Sequence, residues 1–173
     1  MDDWLPDGSE IEVFSGGNRW MLSWHPSTTP PDGKPDGSAG ICVVASGETV
    51  VVSSDANSWI IPGGRPEADE DWEQTLRREV REEACAAVSD ARLLGFTRGV
   101  CIEGPAKGPA RVRSMWLVQV TLDEWRPHHE IRHRKLIPFD QFISVVLPEY
   151  GRLWRRVLHD VKAVMPDRGL AAG

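Results

Sequence analysis

Residues 63–86 read Gly63-Gly64-Arg65-Pro66-Glu67-Ala68-Asp69-Glu70-Asp71-Trp72-Glu73-Gln74-Thr75-Leu76-Arg77-Arg78-Glu79-Val80-Arg81-Glu82-Glu83-Ala84-Cys85-Ala86. The first eight positions hold two glycines and a proline, so the chain turns there. From Asp71 to Ala87 there is no Gly or Pro, and helix formers dominate, so this stretch reads as the clearest helix in the chain. Asp71, with Gln74 three residues later, has the pattern of a capping box, in which each side chain satisfies a free backbone donor of the first turn. At about 100° per residue, taking Glu79 as zero, Glu82 falls at about −60° and Glu83 at about +40°. The apolar stripe of Trp72, Leu76, Val80 and Ala84 spans about +20° to +140° on the same wheel. Glu83 thus lies within the core-facing stripe and Glu79 at its edge.

A carboxylate run placed for solubility should face away from the apolar stripe. This one points partly inward. Like charges a few ångströms apart repel, and partial burial raises the cost of each. Two outcomes relieve the crowding: protonation, or a bound cation. Ligands that are all oxygen favour a hard divalent ion, Mg²⁺ or Mn²⁺. The plain competing explanation is a solvated acidic face laced by i,i+4 pairs such as Glu73–Arg77 and Arg78–Glu82. The preceding residues, Trp59-Ile60-Ile61-Pro62-Gly63-Gly64, weigh against it. They deliver a strand and a tight glycine turn directly to the helix, where a backbone without Cβ can approach an ion or phosphate.

The spacing resembles the Nudix box: Gly, five residues, Glu, seven residues, Arg-Glu, an aliphatic, any residue, Glu-Glu, any residue, Gly, an aliphatic. Here Gly64 is followed after five residues by Glu70, and after seven more by Arg78-Glu79-Val80-Arg81-Glu82-Glu83. The closing Gly is replaced by Cys85 and the aliphatic by Ala86. A glycine there usually helps to end the helix, so Cys85 suggests a different exit, with one more turn through Ala87. The resemblance implies an α/β fold, a Nudix-like α/β/α sandwich with a central mixed β-sheet. It further implies divalent-metal-dependent hydrolysis of a phosphoanhydride bond in a nucleoside diphosphate-linked or related small substrate. On the same ground Glu79, Glu82, Glu83 and the carbonyl of Gly63 would hold Mg²⁺ (or Mn²⁺). Glu70 and Arg78 would pair and hold the loop beside Gly64 against the helix. The general base would be Glu79, or Glu130 on a later loop; Glu103 and Glu124 are weaker candidates.

Away from the box, Ala39–Ala45 and Thr49–Ser53 are rich in Val and Ile around Ser46-Gly47, and read as a β-hairpin. A third short strand is expected at Ser58–Ile61. Ala91–Ile102 and Arg111–Leu122 read as two more, joined by the breaker-rich 103–109 loop. A polar stretch, Glu124–Arg134, leads to a strand at Lys135–Ile137. Pro148 then opens a last helix, Glu149–Val164, with Leu153, Trp154, Val157, Leu158 and Val161 at helical spacing. Residues 25–40, HPSTTPPDGKPDGSAG, read as a loop. They set off an N-terminal arm with strand-like pieces at Glu10–Phe14 and Arg19–Trp24. The expected organisation is an arm and loop (1–37) packed on the domain, the catalytic domain (38–165) and a flexible tail (166–173).

The 173 residues suit one domain. The net charge of −6 with scattered basic residues argues against a nucleic-acid polymer as partner. No apolar run reaches membrane-spanning length, so no membrane partner is expected. The N-terminus is acidic, without a signal peptide's basic start and apolar run. Cys42, Cys85 and Cys101 are too few and scattered for a disulfide framework, which fits a cytoplasmic protein. The expected partner is a small phosphorylated molecule, and the arm is compatible with a homodimer. Trp59, or Trp20 or Trp24, could stack on a flat substrate group. Arg65 leads the candidates for phosphate contact, followed by Arg98, Lys107, Arg111 and Arg113. His128, His129 and His133 contain a His-x-x-x-His pair, but no fourth zinc ligand is evident. Two other functions are compatible with the fold: a non-catalytic module binding a nucleotide or protein partner, and a diphosphate-handling isomerase.

Overall fold

A computed structural model describes residues 5–165; the expected tail at 166–173 lies outside the described residues. The strands are β1 (Glu10–Ser15), β2 (Asn18–His25), β3 (Lys34–Val43), β4 (Thr49–Ser53), β5 (Gly63–Gly64), β6 (Ala86–Glu103), β7 (Arg111–Leu122) and β8 (His133–Ile137). The helices are α1 (Trp72–Ala84), α2 (Phe142–Val145) and α3 (Gly151–Val164), with single 3₁₀ turns at Phe139–Gln141 and Pro148–Tyr150. All the strands belong to one sheet in the order β1-β2-β6-β7-β3-β4-β8, with β5 paired to β3. β3 and β7 run parallel and the other pairs antiparallel, so the sheet is mixed.

The central strands are apolar on both faces because both faces are covered. Along β3, Ile41 and Val43 join the layer beneath α2 and α3, while Cys42 joins the layer beneath α1. In β4, Val51 faces α3, and Val50 and Val52 face α1. In β7, Met115 and Leu117 alternate likewise with Trp116 and Val118. α1 buries Leu76, Val80 and Ala84; α3 buries Leu153, Trp154, Val157, Leu158 and Val161. The result is the α/β/α sandwich that the box implies.

Several elements depart from the sequence reading. β3 starts at Lys34, inside the expected loop. Pro35 is tolerated because its stretch pairs on one side only, with β7, and is bulged between Pro35 and Gly37. Ser58–Ile61 is not a strand: it makes two isolated bridges, Val52↔Ile60 and Trp59↔Val146. The expected glycine turn is the two-residue strand β5, in register with Ser38 and Ala39. The extra helical turn through Ala87 does not form. Cys85 takes the left-handed conformation (φ 46°, ψ 58°) and the chain enters β6 at Ala86. Cys85 therefore accepts the backbone conformation that a glycine would adopt without steric cost.

The N-terminal hairpin is continuous with the sheet, β2 pairing along β6 from Arg19↔Glu103 to His25↔Phe96. Leu5, Ile11, Val13 and Trp24 are buried in the α3 layer, and the Trp24 indole N–H donates to Asp160 Oδ2 at 2.8 Å. Among the described residues no helix is long and apolar enough to cross a membrane.

Candidate active site

α1 is fixed at its start by the capping box expected from Asp71 and Gln74: Gln74 N donates to Asp71 Oδ1 (2.8 Å) and Asp71 N to Gln74 Oε1 (2.9 Å). The Ser38 hydroxyl, from β3, donates to the Trp72 carbonyl at 2.6 Å and ties this first turn to the sheet. The acidic face of α1 is thereby set against β5. Close backbone approach requires a glycine at Gly63, and the glycine at Gly64 leaves room for the Glu79 carboxylate. A Cβ at Gly64 would collide with the Glu79 carboxylate, and one at Gly63 with Ser38 O and Ala39. The Gly63 N–H donates to Glu83 Oε2 at 3.0 Å.

Glu70 and Arg78 form the brace that the box implies. Arg78 Nε and Nη2 donate to Glu70 Oε1 and Oε2 at 2.8 and 3.0 Å, and Nη2 also to the Arg65 carbonyl at 2.8 Å. Glu70 also accepts from Glu67 N (3.0 Å) and the Thr75 hydroxyl (3.1 Å). These donors, Arg78 first, hold the Glu70 carboxyl down at about 2. The third guanidinium nitrogen, Nη1, reaches Glu79 Oε1 at 2.9 Å and Glu82 Oε2 at 3.2 Å. Among the described residues no three His, Cys, Asp or Glu side chains converge as a ready-made metal group. Arg78 instead lies on oxygens for which a cation would compete.

Burial pushes the Glu83 carboxyl up to about 7; the charges of Glu79 and Glu130 add to the rise, and the Gly63 N–H and Arg113 oppose it. Burial also raises Glu79, assisted by Glu82 and Glu67 and opposed by Arg78. Two neighbouring carboxylates are therefore costly to ionise together, as the helical wheel suggests. The donor set is all oxygen, dense and partly desolvated, which fits a hard divalent ion.

A cleft of about 200 Å³ is lined by Glu67, Arg78, Glu79, Glu82, Glu83, His128, His129, Glu130 and Ile131. It brings the helix carboxylates together with Glu130, 47 positions beyond Glu83 in sequence. His128 and His129 line it as well, and both side chains remain exposed to solvent. Glu67 was missed. Its signal was its place in the loop between Gly64 and Glu70, which the Arg78–Glu70 brace folds onto the helix. Glu103 and Glu124 do not line this cleft.

Trp59 and Arg65 also lie outside the cleft lining. Trp59 packs under Lys135, whose Nζ sits 4.0 Å from the ring centroid. Arg65 is exposed and pairs with Asp36 at 3.6 Å. Trp24 is fully buried, so it cannot stack on a ligand, and Trp20 lies beneath Arg111. Arg98 donates to the Asp32 carbonyl, and Arg113 pairs with Asp36 while acting on Glu83.

The fold is shared with solved structures. A point mutant of the Bacillus subtilis pyrophosphohydrolase BsRppH superposes with a TM-score of 0.70 at 17% identity, over 90% of this chain and 96% of that one. A Nudix hydrolase from Nitrosomonas europaea gives 0.59 at 21%, over 75% and 90%. A C. elegans Ap4A hydrolase binary complex gives 0.56 at 20%, over 75% and 98%. No curated protein sequence matches the chain significantly. The sequence model of the NUDIX domain matches residues 34–160, well over half of the 173. With the box glutamates gathered on one cleft and the sandwich around them, the chain belongs to the Nudix hydrolase family.

Proposed function

We propose that this chain hydrolyses a phosphoanhydride bond in a nucleoside diphosphate-linked or related small substrate, using Mg²⁺ or Mn²⁺. The observation that carries the reading is the meeting of Glu79, Glu82, Glu83 and Glu130 at one cleft, with Glu83 desolvated against Gly63. Glu79, Glu82, Glu83 and the Gly63 carbonyl would hold the metal. When bound, the ion supplies Lewis-acid polarisation of phosphoryl oxygens and acidifies water. On metal binding Glu79 and Glu82 would give up their Arg78 contacts, while Arg78 could retain Glu70, to which it is bidentate here, and so hold the loop against the helix.

Glu79 or Glu130, both of which line the cleft, would take the proton of the attacking water. Oxygen attacks phosphorus, the bridging P–O bond breaks, and two phosphate-bearing products leave. The His128 and His129 rings line the same cleft. Substrate recognition resides in the loops around the cleft, since the box itself supplies only carboxylates and the brace.

The test is a turnover panel of dinucleotides, nucleotide sugars and nucleoside triphosphates with Mg²⁺ or Mn²⁺. Wild type should cleave at least one class, and EDTA should stop it. Glu79→Gln and Glu82→Gln should each abolish turnover. Turnover that survives both substitutions would defeat the assignment. A general base contributes about 10²- to 10⁴-fold, so Glu130→Gln should fall in that range if Glu130 is the base. If Glu79 is, Glu130→Gln keeps most of its rate.

A further inference from the structure

The C-terminal end of α1 carries Glu82 and Glu83, and the last four carbonyls of a helix have no partner within it. Here that end must also turn through a left-handed residue with a Cβ, Cys85. The guanidinium of Arg134, from β8, lies across this exit. Its Nη1 donates to Ala84 O at 2.7 Å, to Cys85 O at 3.0 Å and to Asp123 O at 3.3 Å. Its Nη2 donates to Asp123 O at 3.2 Å. The guanidinium carbon also stacks 5.0 Å from the centroid of the Trp125 ring. Asp123 N closes the knot on Cys85 O at 2.8 Å, and Cys85 Sγ meets Arg126 O at 3.3 Å.

One side chain therefore joins the end of the acidic helix to the start of the 123–132 segment that carries His128, His129 and Glu130. That segment's other end is held by buried Ile131 and by Arg132 N on Ser53 O at 3.0 Å. A cation at a helix C-terminus also suits the helix dipole. The fork matters more, because one planar group serves three carbonyls and an aromatic face, which an ammonium cannot do.

We propose that Arg134 is a positioning residue of the cleft: it locks the last turn of α1 to the Glu130 loop and so sets the Glu82–Glu83 pair opposite Glu130. This rests on the metal-dependent reading of the site above. Arg134 does not line the cleft and acts through the backbone of Ala84, Cys85 and Asp123.

The test is Mn²⁺ binding by isothermal titration, with kcat and KM measured well below each variant's melting temperature. Loss of a partner that orients ligands typically weakens metal binding or activity by about 10- to 100-fold. Arg134→Ala should fall in that range for Mn²⁺ affinity and kcat, with little change in KM. Arg134→Lys keeps the charge but not the fork and should lie between Arg134→Ala and wild type. Arg126→Ala removes an exposed cation from the same loop and should behave as wild type. In the metal-free protein, hydrogen exchange of the 124–132 amides should rise in Arg134→Ala. A folded Arg134→Ala that binds Mn²⁺ within roughly twofold of wild type overturns the inference. If Arg134→Ala does not fold, Arg134→Lys decides on the same criterion. Wild type that takes up no Mn²⁺ overturns the metal reading beneath it as well.

Discussion

Glu83 on α1 and Glu70 in the loop before it shift in opposite directions. The folded Glu83 carboxyl titrates at about 7 against an ordinary 4.5. Between those values the folded state holds a proton that the unfolded chain has released. The contribution of Glu83 to the stability of the metal-free protein is therefore lost as pH rises through that window. Glu70, held at about 2 against 4.5, does the reverse: its contribution is complete above 4.5 and is lost as pH falls toward 2. A divalent ion needs Glu83 ionised, so added Mg²⁺ should raise the melting temperature more at pH 8 than at pH 6. Thermal scans at constant ionic strength check this, and a larger gain at pH 6 would contradict it. Gly64→Ala drives a methyl group into the Glu79 carboxylate. It should weaken Mn²⁺ binding by displacing that carboxylate although it replaces no proposed ligand, and titration calorimetry would read the loss.

At the scale of the element, α1 was the most legible part of the chain because its determinants are local. The capping box and the apolar stripe lie within 71–86 and the box spacing within 64–86, and the structure has the capping box and the stripe as read. Asp71→Ala removes the side-chain oxygen that accepts from Gln74 N, leaving the residue-71 N–H on Gln74 Oε1, and should cost about 1 kcal/mol by denaturant unfolding, with the cleft intact in the folded fraction. The end of the same helix was misread. A missing glycine argued for one more turn, whereas Arg134, some fifty residues on, supplies the partners that let Cys85 end the helix. Strand limits failed for a similar reason. Lys34–Gly37 carries loop-like residues, yet it pairs with β7, more than seventy positions away. Pairing on a sheet is decided by such neighbours more than by composition. Ser58–Ile61 has a strand's composition, but its backbone makes only isolated bridges.

Across the whole molecule, the sandwich follows from strands that are apolar on both faces with α1 on one side and α2 and α3 on the other. The N-terminal hairpin is bound into this body by Trp24, fully buried and bonded to Asp160 on α3. Trp24→Ala should destabilise the fold by about 3–5 kcal/mol. In the folded fraction Mn²⁺ affinity should be unchanged, since that anchor lies in the α3 layer and the acidic cleft on the α1 side. The assembled cleft was only partly readable: the box announced its helix half, but Glu67, His128 and His129 join it through tertiary folding. The measurement that bears most directly on the central claim is the number of Mn²⁺ ions bound per chain at pH 8, followed by electron paramagnetic resonance. Wild type should bind Mn²⁺, and a folded Glu79→Gln/Glu82→Gln/Glu83→Gln variant should bind none at the same concentrations; equal uptake by the two proteins would contradict the account.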